Sequence, residues 1–74
     1  MKLYEVCKSD LRKCKGNIKQ VINQGNYIIR DDNFIKHAFN FGNGSIKHMN
    51  EYMKNNSVFC VWYDVETMKK INRL

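Results

Sequence analysis

Five residues of this chain have side chains that commonly bind metal ions: Cys7, Cys14, His37, His48 and Cys60. The intervals between successive members are 7, 23, 11 and 12 residues. Structural zinc sites draw their ligands from close pairs, with roughly two to five residues between the members of a pair. The sequence has no such pair, so we expect no metal site and no cofactor.

Nucleophilic catalysis is the other chemistry that these residue types offer. Cys60 and a histidine could supply a thiolate and a base, but Cys60 stands inside the apolar run 58–63, where burial disfavours a charged thiolate. The adjacent carboxylates Asp31 and Asp32 are more typical of a helix N-cap than of a catalytic pair. The segment 42–44, Gly-Asn-Gly, follows a predicted helix rather than the strand that a phosphate-binding loop requires. We therefore expect Cys7, Cys14 and Cys60 to be small, buried structural residues, and we expect a protein that is not an enzyme.

The charge of the chain is uneven. Thirteen Lys and Arg against seven Asp and Glu give a formal net charge of +6. Residues 1–20 carry a net charge of +4, residues 66–74 carry +2, and the residues between them sum to zero. An acidic partner is therefore expected at the two ends of the chain. The candidate cations are Arg12, Lys15, Lys19, Lys69, Lys70 and Arg73.

Three segments have the composition of strands. Lys2–Cys7 alternates between polar and apolar residues, and Asn26–Arg30 forms a shorter segment of the same type. The continuous apolar run Val58–Tyr63 predicts the central strand of a sheet that is covered on both faces.

Apolar residues recur at helical spacing in four further segments. Ser9 is the expected cap of the first helix, Gly16 costs it about 1 kcal/mol relative to Ala, and Gly25 ends it. Asp31 or Asp32 caps the second helix, and Ser45 caps the third. The predicted helices cover residues 10–24, 33–41, 45–54 and 65–74. About three strands with three to four helices predict one small α+β domain over residues 1–74.

The chain is short for its apolar content, with nine aromatic residues and four Met among 74 residues. A domain of this size cannot bury all of them, and its small core gives little stability. We therefore expect an exposed apolar patch and self-association as a homodimer. The sequence contains neither a long apolar run nor a signal-peptide pattern at its start. This predicts a protein of the cytoplasm that does not interact with membranes.

Nucleic-acid binding is one function that the charge allows. On one continuous helix over residues 10–24, Arg12, Lys15 and Lys19 lie within about 60° of each other and form a stripe. With the C-terminal cations, this stripe could follow a phosphate backbone. A helix-turn-helix alignment that starts at Phe34 fails at three core positions, Asn43, His48 and Glu51. A protein-binding module and a solvated basic face remain as alternatives.

In length and composition the whole chain, including the stretch YIIRDDNFIKHAFNFGNGSIKH, resembles the very small proteins with which lytic phages of AT-rich bacteria shut down their host. Within that class it looks most like a phage inhibitor of the bacterial DNA polymerase sliding clamp. The resemblance implies a non-enzymatic inhibitor, acting as a dimer in the host cytoplasm, that blocks loading or sliding of DNA. A clamp channel is basic, so the acidic side chains of the neutral middle are the implied contacts. These are Asp31, Asp32, Glu51 and Asp64.

Overall fold

Two inner strands, β1 (Lys2–Cys7) and β3 (Cys60–Asp64), form the centre of a four-stranded antiparallel sheet. The computed structural model describes the backbone of residues 2–31 and 45–74 and the side chains of residues 2–31 and 49–74. The strand order is β2-β1-β3-β4, with β2 (Ile28–Asp31) and β4 (Lys70–Ile71) at the edges. The two inner strands thus supply residues to both buried clusters, Leu3 and Trp62 to one and Val6 and Val61 to the other.

Alternation along the inner strands gives the sheet two faces. Leu3, Glu5 and Trp62 lie on one face, which is covered by helix α3 (Ser45–Asn56). Val6 and Val61 lie on the other face, where the two helices that follow β1 cover them. Val61 and Trp62 are 6% and 3% exposed, which confirms a strand covered on both faces.

The predicted bounds of the central strand were wrong at both ends. The strand covers Cys60–Asp64 rather than residues 58–63, and Val58 and Phe59 lie in the preceding turn with 71% of each residue exposed. The turn forms because the Phe59 N–H donates to the Asn56 carbonyl at 3.1 Å, which holds the chain near the end of α3. The prediction included Val58 and Phe59 in the strand because both are apolar. The hydrogen bond to the end of α3 places them in a turn instead.

The helix predicted over residues 10–24 is two short helices, α1 (Lys8–Lys13) and α2 (Ile18–Asn23). Lys15 and Gly16 both have positive φ, 55° and 81°, a conformation that cannot continue a right-handed helix. Their N–H groups donate to the carbonyls of Arg12 and Leu11, which is the Schellman pattern of a helix end. Gly25, at φ 76°, ends α2 in the same way, as its sequence position predicted.

The terminal helix predicted over residues 65–74 is a hairpin instead. The Asp64 carboxylate accepts the N–H groups of Glu66 and Thr67 at 2.8 and 2.9 Å, and the Asp64 N–H donates to the Lys69 carbonyl at 2.9 Å. These bonds turn the chain back so that Ile71 pairs with Trp62. A side-chain acceptor at the start of the segment thus favours a turn over a helix with the same apolar spacing.

With four strands and three helices in the described residues, the expected small α+β domain is confirmed. The predicted third helix is present as α3, while the predicted helix over 33–41 and the break at 42–44 lie outside the described residues. In the described ranges, no helix has both the length and the hydropathy needed to cross a bilayer.

Candidate binding surface

One end of the sheet presents apolar side chains to solvent. Val58 and Phe59, which we call the apolar tip, are each 71% exposed. The backbone beneath them is fixed, because the Lys8 N–H donates to the Phe59 carbonyl at 2.8 Å. At the start of the same turn, the Ser57 hydroxyl donates to the Lys54 carbonyl at 2.8 Å. A held, exposed apolar pair is a typical centre for a protein contact.

Beside the tip lie two shallow grooves, which we call together the cationic groove. One, of about 290 Å³, is lined by Lys8, Leu11, Arg12, Gly16, Val61 and Lys70. The other, of about 240 Å³, shares Lys8, Val61 and Lys70 with the first and continues along β3 and β4. Their common wall therefore combines the apolar Val61 with two Lys side chains, a pairing that suits a partner with both apolar and acidic groups.

The short β4 strand helps to form this groove. Among the described residues, β4 pairs only with Trp62 and Tyr63, whereas β3 begins at Cys60. The beginning of β3 therefore extends beyond the end of β4, and the groove lies there. Because α1 follows β1 directly, it places Lys8 and Arg12 along the same wall.

Only part of the predicted cationic stripe is assembled. Arg12 and Lys70, from the two charged ends of the chain, line one groove together with Lys8. The single helical stripe of Arg12, Lys15 and Lys19 is not formed, because the helix break separates Lys15 from both helices and places Lys19 on α2.

The remaining predicted binding residues are dispersed. Lys15, Lys19, Lys69 and Arg73 are exposed and line neither groove. Asp31 is half-buried at the end of β2, and Glu51 is exposed on α3. Asp32 lies outside the described residues. Neither Lys8 nor the tip was predicted as part of a binding surface; the one signal for Lys8 in the sequence is its position directly after the predicted strand 2–7.

A buried carboxylate joins three elements on the α3 face. Glu5 on β1 is 7% exposed, and Arg30 on β2 donates from Nη2 to Glu5 Oε2 at 3.0 Å. The Tyr52 hydroxyl and Trp62 Nε1 donate to Glu5 Oε1 at 2.7 and 3.0 Å. We call these four residues the Glu5 network. Because its donors come from β2, α3 and β3, the network fixes the packing of α3 on the sheet.

Electrostatics keep this carboxylate ionised. Burial disfavours the charge, but hydrogen bonds from Arg30, Tyr52 and Trp62 outweigh it and hold the pKa of Glu5 below its ordinary value. Burial and the neighbouring carboxylate raise the pKa of Tyr52. Both groups therefore keep fixed protonation states near neutral pH, and the Glu5 oxygens are engaged in structural hydrogen bonds.

The three thiols differ in environment. Cys14 is buried and its thiol donates to Gln24 Oε1 at 3.6 Å, whereas Cys7 is exposed and Cys60 is half-buried. The expectation of three buried thiols is therefore correct for Cys14 and wrong for Cys7. Burial raises the pKa of Cys60, which disfavours its thiolate as the sequence predicted. Within the described part of the chain, no three His, Cys, Asp or Glu side chains gather as metal ligands.

Comparison with known proteins assigns no family. No protein-family model, no curated protein and no solved structure matches the chain.

Proposed function

We propose that this protein is a non-enzymatic binding protein that docks on a partner protein through the apolar tip and the cationic groove. The observation that carries the proposal is the fixed exposure of Val58 and Phe59 beside a groove lined by Lys8, Arg12 and Lys70. An apolar centre with a charged rim is the usual anatomy of a protein interface. Loss of an aromatic residue from such a centre is costly for binding.

For the partner, we propose a host replication protein, with the bacterial DNA sliding clamp as the specific candidate. Its support is the resemblance in length and composition to phage inhibitors of that clamp. On this proposal the protein acts in the host bacterial cytoplasm and blocks loading or sliding of DNA. The cations and the carboxylates have different roles on this proposal. The cations of the groove speed the encounter with acidic parts of the partner, whereas Asp31, Asp32 and Glu51 contact its basic parts.

The first test measures binding to a purified bacterial sliding clamp. Phe59→Ser should raise the dissociation constant at least about tenfold, mainly through faster dissociation, because it removes the apolar centre. Arg12→Glu should mainly slow association, and the same charge change at Lys19, outside the groove, is its matched control. If Phe59→Ser binds as well as the original chain while remaining folded, the tip is not the interface.

The acidic residues give a separate test of the clamp itself. Replacing Asp31, Asp32 or Glu51 by the corresponding amide should speed dissociation if they touch the basic channel. If the unaltered chain does not bind the clamp, that partner is wrong. The unaltered chain could then still recover another protein from nuclease-treated bacterial lysate. If Phe59→Ser does not recover that protein, the proposed docking surface is retained and only the identity of the partner changes.

Nucleic-acid binding is the second candidate, because one groove brings together cations from both ends of the chain. Binding through about six phosphate contacts should lose three or more decades of affinity between roughly 50 and 200 mM salt. A protein interface with an apolar centre should lose much less. On this alternative, Arg12→Glu and Lys70→Glu abolish oligonucleotide binding, the acidic replacements strengthen it, and Phe59→Ser changes little.

We further propose that the chain forms a homodimer. Its support is the exposure of Ile28 and Ile29, 52% and 45%, on the edge strand β2 at the opposite side of the sheet from β4. Burying such residues against a second copy would extend the small core. Sedimentation at micromolar concentration that finds only an 8.8 kDa species would contradict this.

A further inference from the structure

Two cysteines lie directly opposite each other at the base of the apolar tip. The antiparallel register of β1 and β3 pairs Cys7 with Cys60. Residues opposite each other in a ladder have side chains on the same face of the sheet. The two thiols are therefore neighbours although 52 residues separate them in the sequence.

The hydrogen-bond pattern defines the type of this pair. The Lys8 N–H donates to the Phe59 carbonyl at 2.8 Å, and the Val65 N–H donates to the Lys2 carbonyl at 3.2 Å. Hydrogen-bonded and non-hydrogen-bonded pairs alternate along an antiparallel ladder. Cys7 and Cys60, one position from Lys8 and Phe59, are consequently a non-hydrogen-bonded pair.

Non-hydrogen-bonded pairs suit a disulfide. Their Cα atoms are about 4.5 Å apart, which is inside the range of roughly 4.4–6.8 Å found in disulfides. The third cysteine cannot compete, since Cys14 is buried on the opposite face among Val6, Val21 and Val61. We propose that Cys7 and Cys60 are a redox-active dithiol that a small-molecule disulfide converts into an intramolecular cross-strand disulfide.

The two thiols have different roles in this reaction. Cys7 is exposed, so its thiolate attacks a disulfide such as oxidised glutathione, forms a mixed disulfide and releases one glutathione. Cys60, half-buried beside it, then attacks the Cys7 sulfur and releases the second glutathione. In total two protein S–H bonds break and one S–S bond forms. Two electrons and two protons pass to the small disulfide, which becomes two thiols.

The consequence is a reversible cross-link next to the candidate binding surface. Cys60 lines the groove along β3 and β4, and its neighbour Phe59 forms the tip. Closing a long loop restricts the unfolded chain, so the oxidised form should be the more stable one. The chemistry itself does not depend on what the tip binds.

The test is incubation of the full chain with oxidised glutathione, followed by mass spectrometry of the intact, denatured protein without reductant. We expect a monomer lighter by two hydrogens, one remaining free thiol, and a peptide map that joins the Cys7 and Cys60 peptides. A thiol reductant should restore all three thiols. Cys14→Ala, which keeps the pair, should give the same joined peptides, and Cys7→Ser should give none.

Three outcomes of the mass-spectrometric test would overturn the proposal. They are a disulfide that joins two chains, a Cys7–glutathione adduct that persists beside a free Cys60 thiol, and joined peptides that contain Cys14. The thermal midpoint gives an independent measurement, because closing this loop should raise it by roughly 10 °C. A cross-link that lowers the midpoint would show that the native register does not accommodate it.

Discussion

The two faces of the sheet are built on the same two inner strands but are stabilised differently. On the face covered by α1 and α2, the buried cluster is apolar apart from one thiol: Val6, Cys14, Val21 and Val61. On the face covered by α3, Leu3, Met49, Met53 and Trp62 surround the Glu5 network. The first face therefore depends mainly on apolar packing, and the second also depends on charge and on the direction of hydrogen bonds.

This difference bears on how precisely each face fixes the orientation of the helices that cover it. Apolar contacts tolerate small rotations of a helix, whereas Glu5 accepts hydrogen bonds from fixed positions on β2, α3 and β3. A buried ion pair is weak evidence for net stability, because desolvation offsets much of the attraction. The Glu5 network is better understood as fixing the orientation of α3, and its loss should be more damaging than the loss of one apolar group.

The largest effect is expected for Glu5→Ala. Removing the carboxylate takes two hydrogen bonds from the partly buried Arg30 guanidinium, which still donates to the Tyr52 hydroxyl, and it removes the acceptor of the Trp62 N–H. We expect a loss of about 3–5 kcal/mol in the free energy of unfolding. Urea denaturation measures it, with the exposed Glu66→Ala as the matched control. A loss below about 1 kcal/mol would show that the two faces do not differ in this way.

Val21→Ala tests the apolar face. Val21 is fully buried on α2, and truncating it removes two methyl groups and leaves a small cavity. We expect a loss of about 2 kcal/mol, independent of pH. The same urea titration at two pH values checks both statements, and a clear pH dependence of this loss would contradict the view that apolar packing dominates this face.

The two faces should also differ in how their contributions to the free energy of unfolding depend on pH. The folded pKa of Glu5 is lowered, so its stabilisation is fully present above the unfolded pKa of about 4.5 and is lost as the pH falls through the folded value. The stability difference between the original chain and Glu5→Gln should therefore shrink from about pH 6 to about pH 3. Asp64, whose pKa is lowered by the Thr67 and Glu66 amides, titrates in both proteins and cancels in this difference.

The smallest effect is expected at the start of α2. The Asn17 side-chain oxygen accepts the Gln20 N–H at 3.2 Å, which caps this helix. Asn17→Ala should cost about 1 kcal/mol, and Asn17→Asp should retain most of the stability. Equal losses in Asn17→Ala and in the exposed control Lys19→Ala would show that the cap contributes nothing on this face.

Much of the sheet could be predicted from the sequence. Alternation in β1 and the apolar run around Val61 and Trp62 identified both inner strands, because burial on one or two faces leaves a direct pattern in residue type. Gly25 was recognised as a helix end, since only its missing side chain makes positive φ inexpensive. Helical spacing in the segment 45–54 also points Met49 and Met53 to one side of the helix, and both are buried.

The candidate binding surface was predicted only in part. The charge distribution identified Arg12 and Lys70 as members of cationic ends, yet no sequence pattern joins them to each other or to Lys8. Val58 and Phe59 were assigned to the strand because residue type cannot distinguish a buried apolar residue from an exposed one at a strand end. The apolar spacing of residues 65–74 predicted a helix, and this prediction was wrong because the Asp64 side chain accepts the N–H groups of a turn instead.

The sequence by itself determined the fold class, the two inner strands and the cationic ends, because composition and periodicity are local properties of the chain. Only the tertiary structure decided which distant residues meet. It brought Arg12 beside Lys70, placed Cys7 opposite Cys60, and surrounded Glu5 with donors from three other elements. These juxtapositions depend on strand register and helix ends, and a register is set by the sum of many weak contacts rather than by any one residue type.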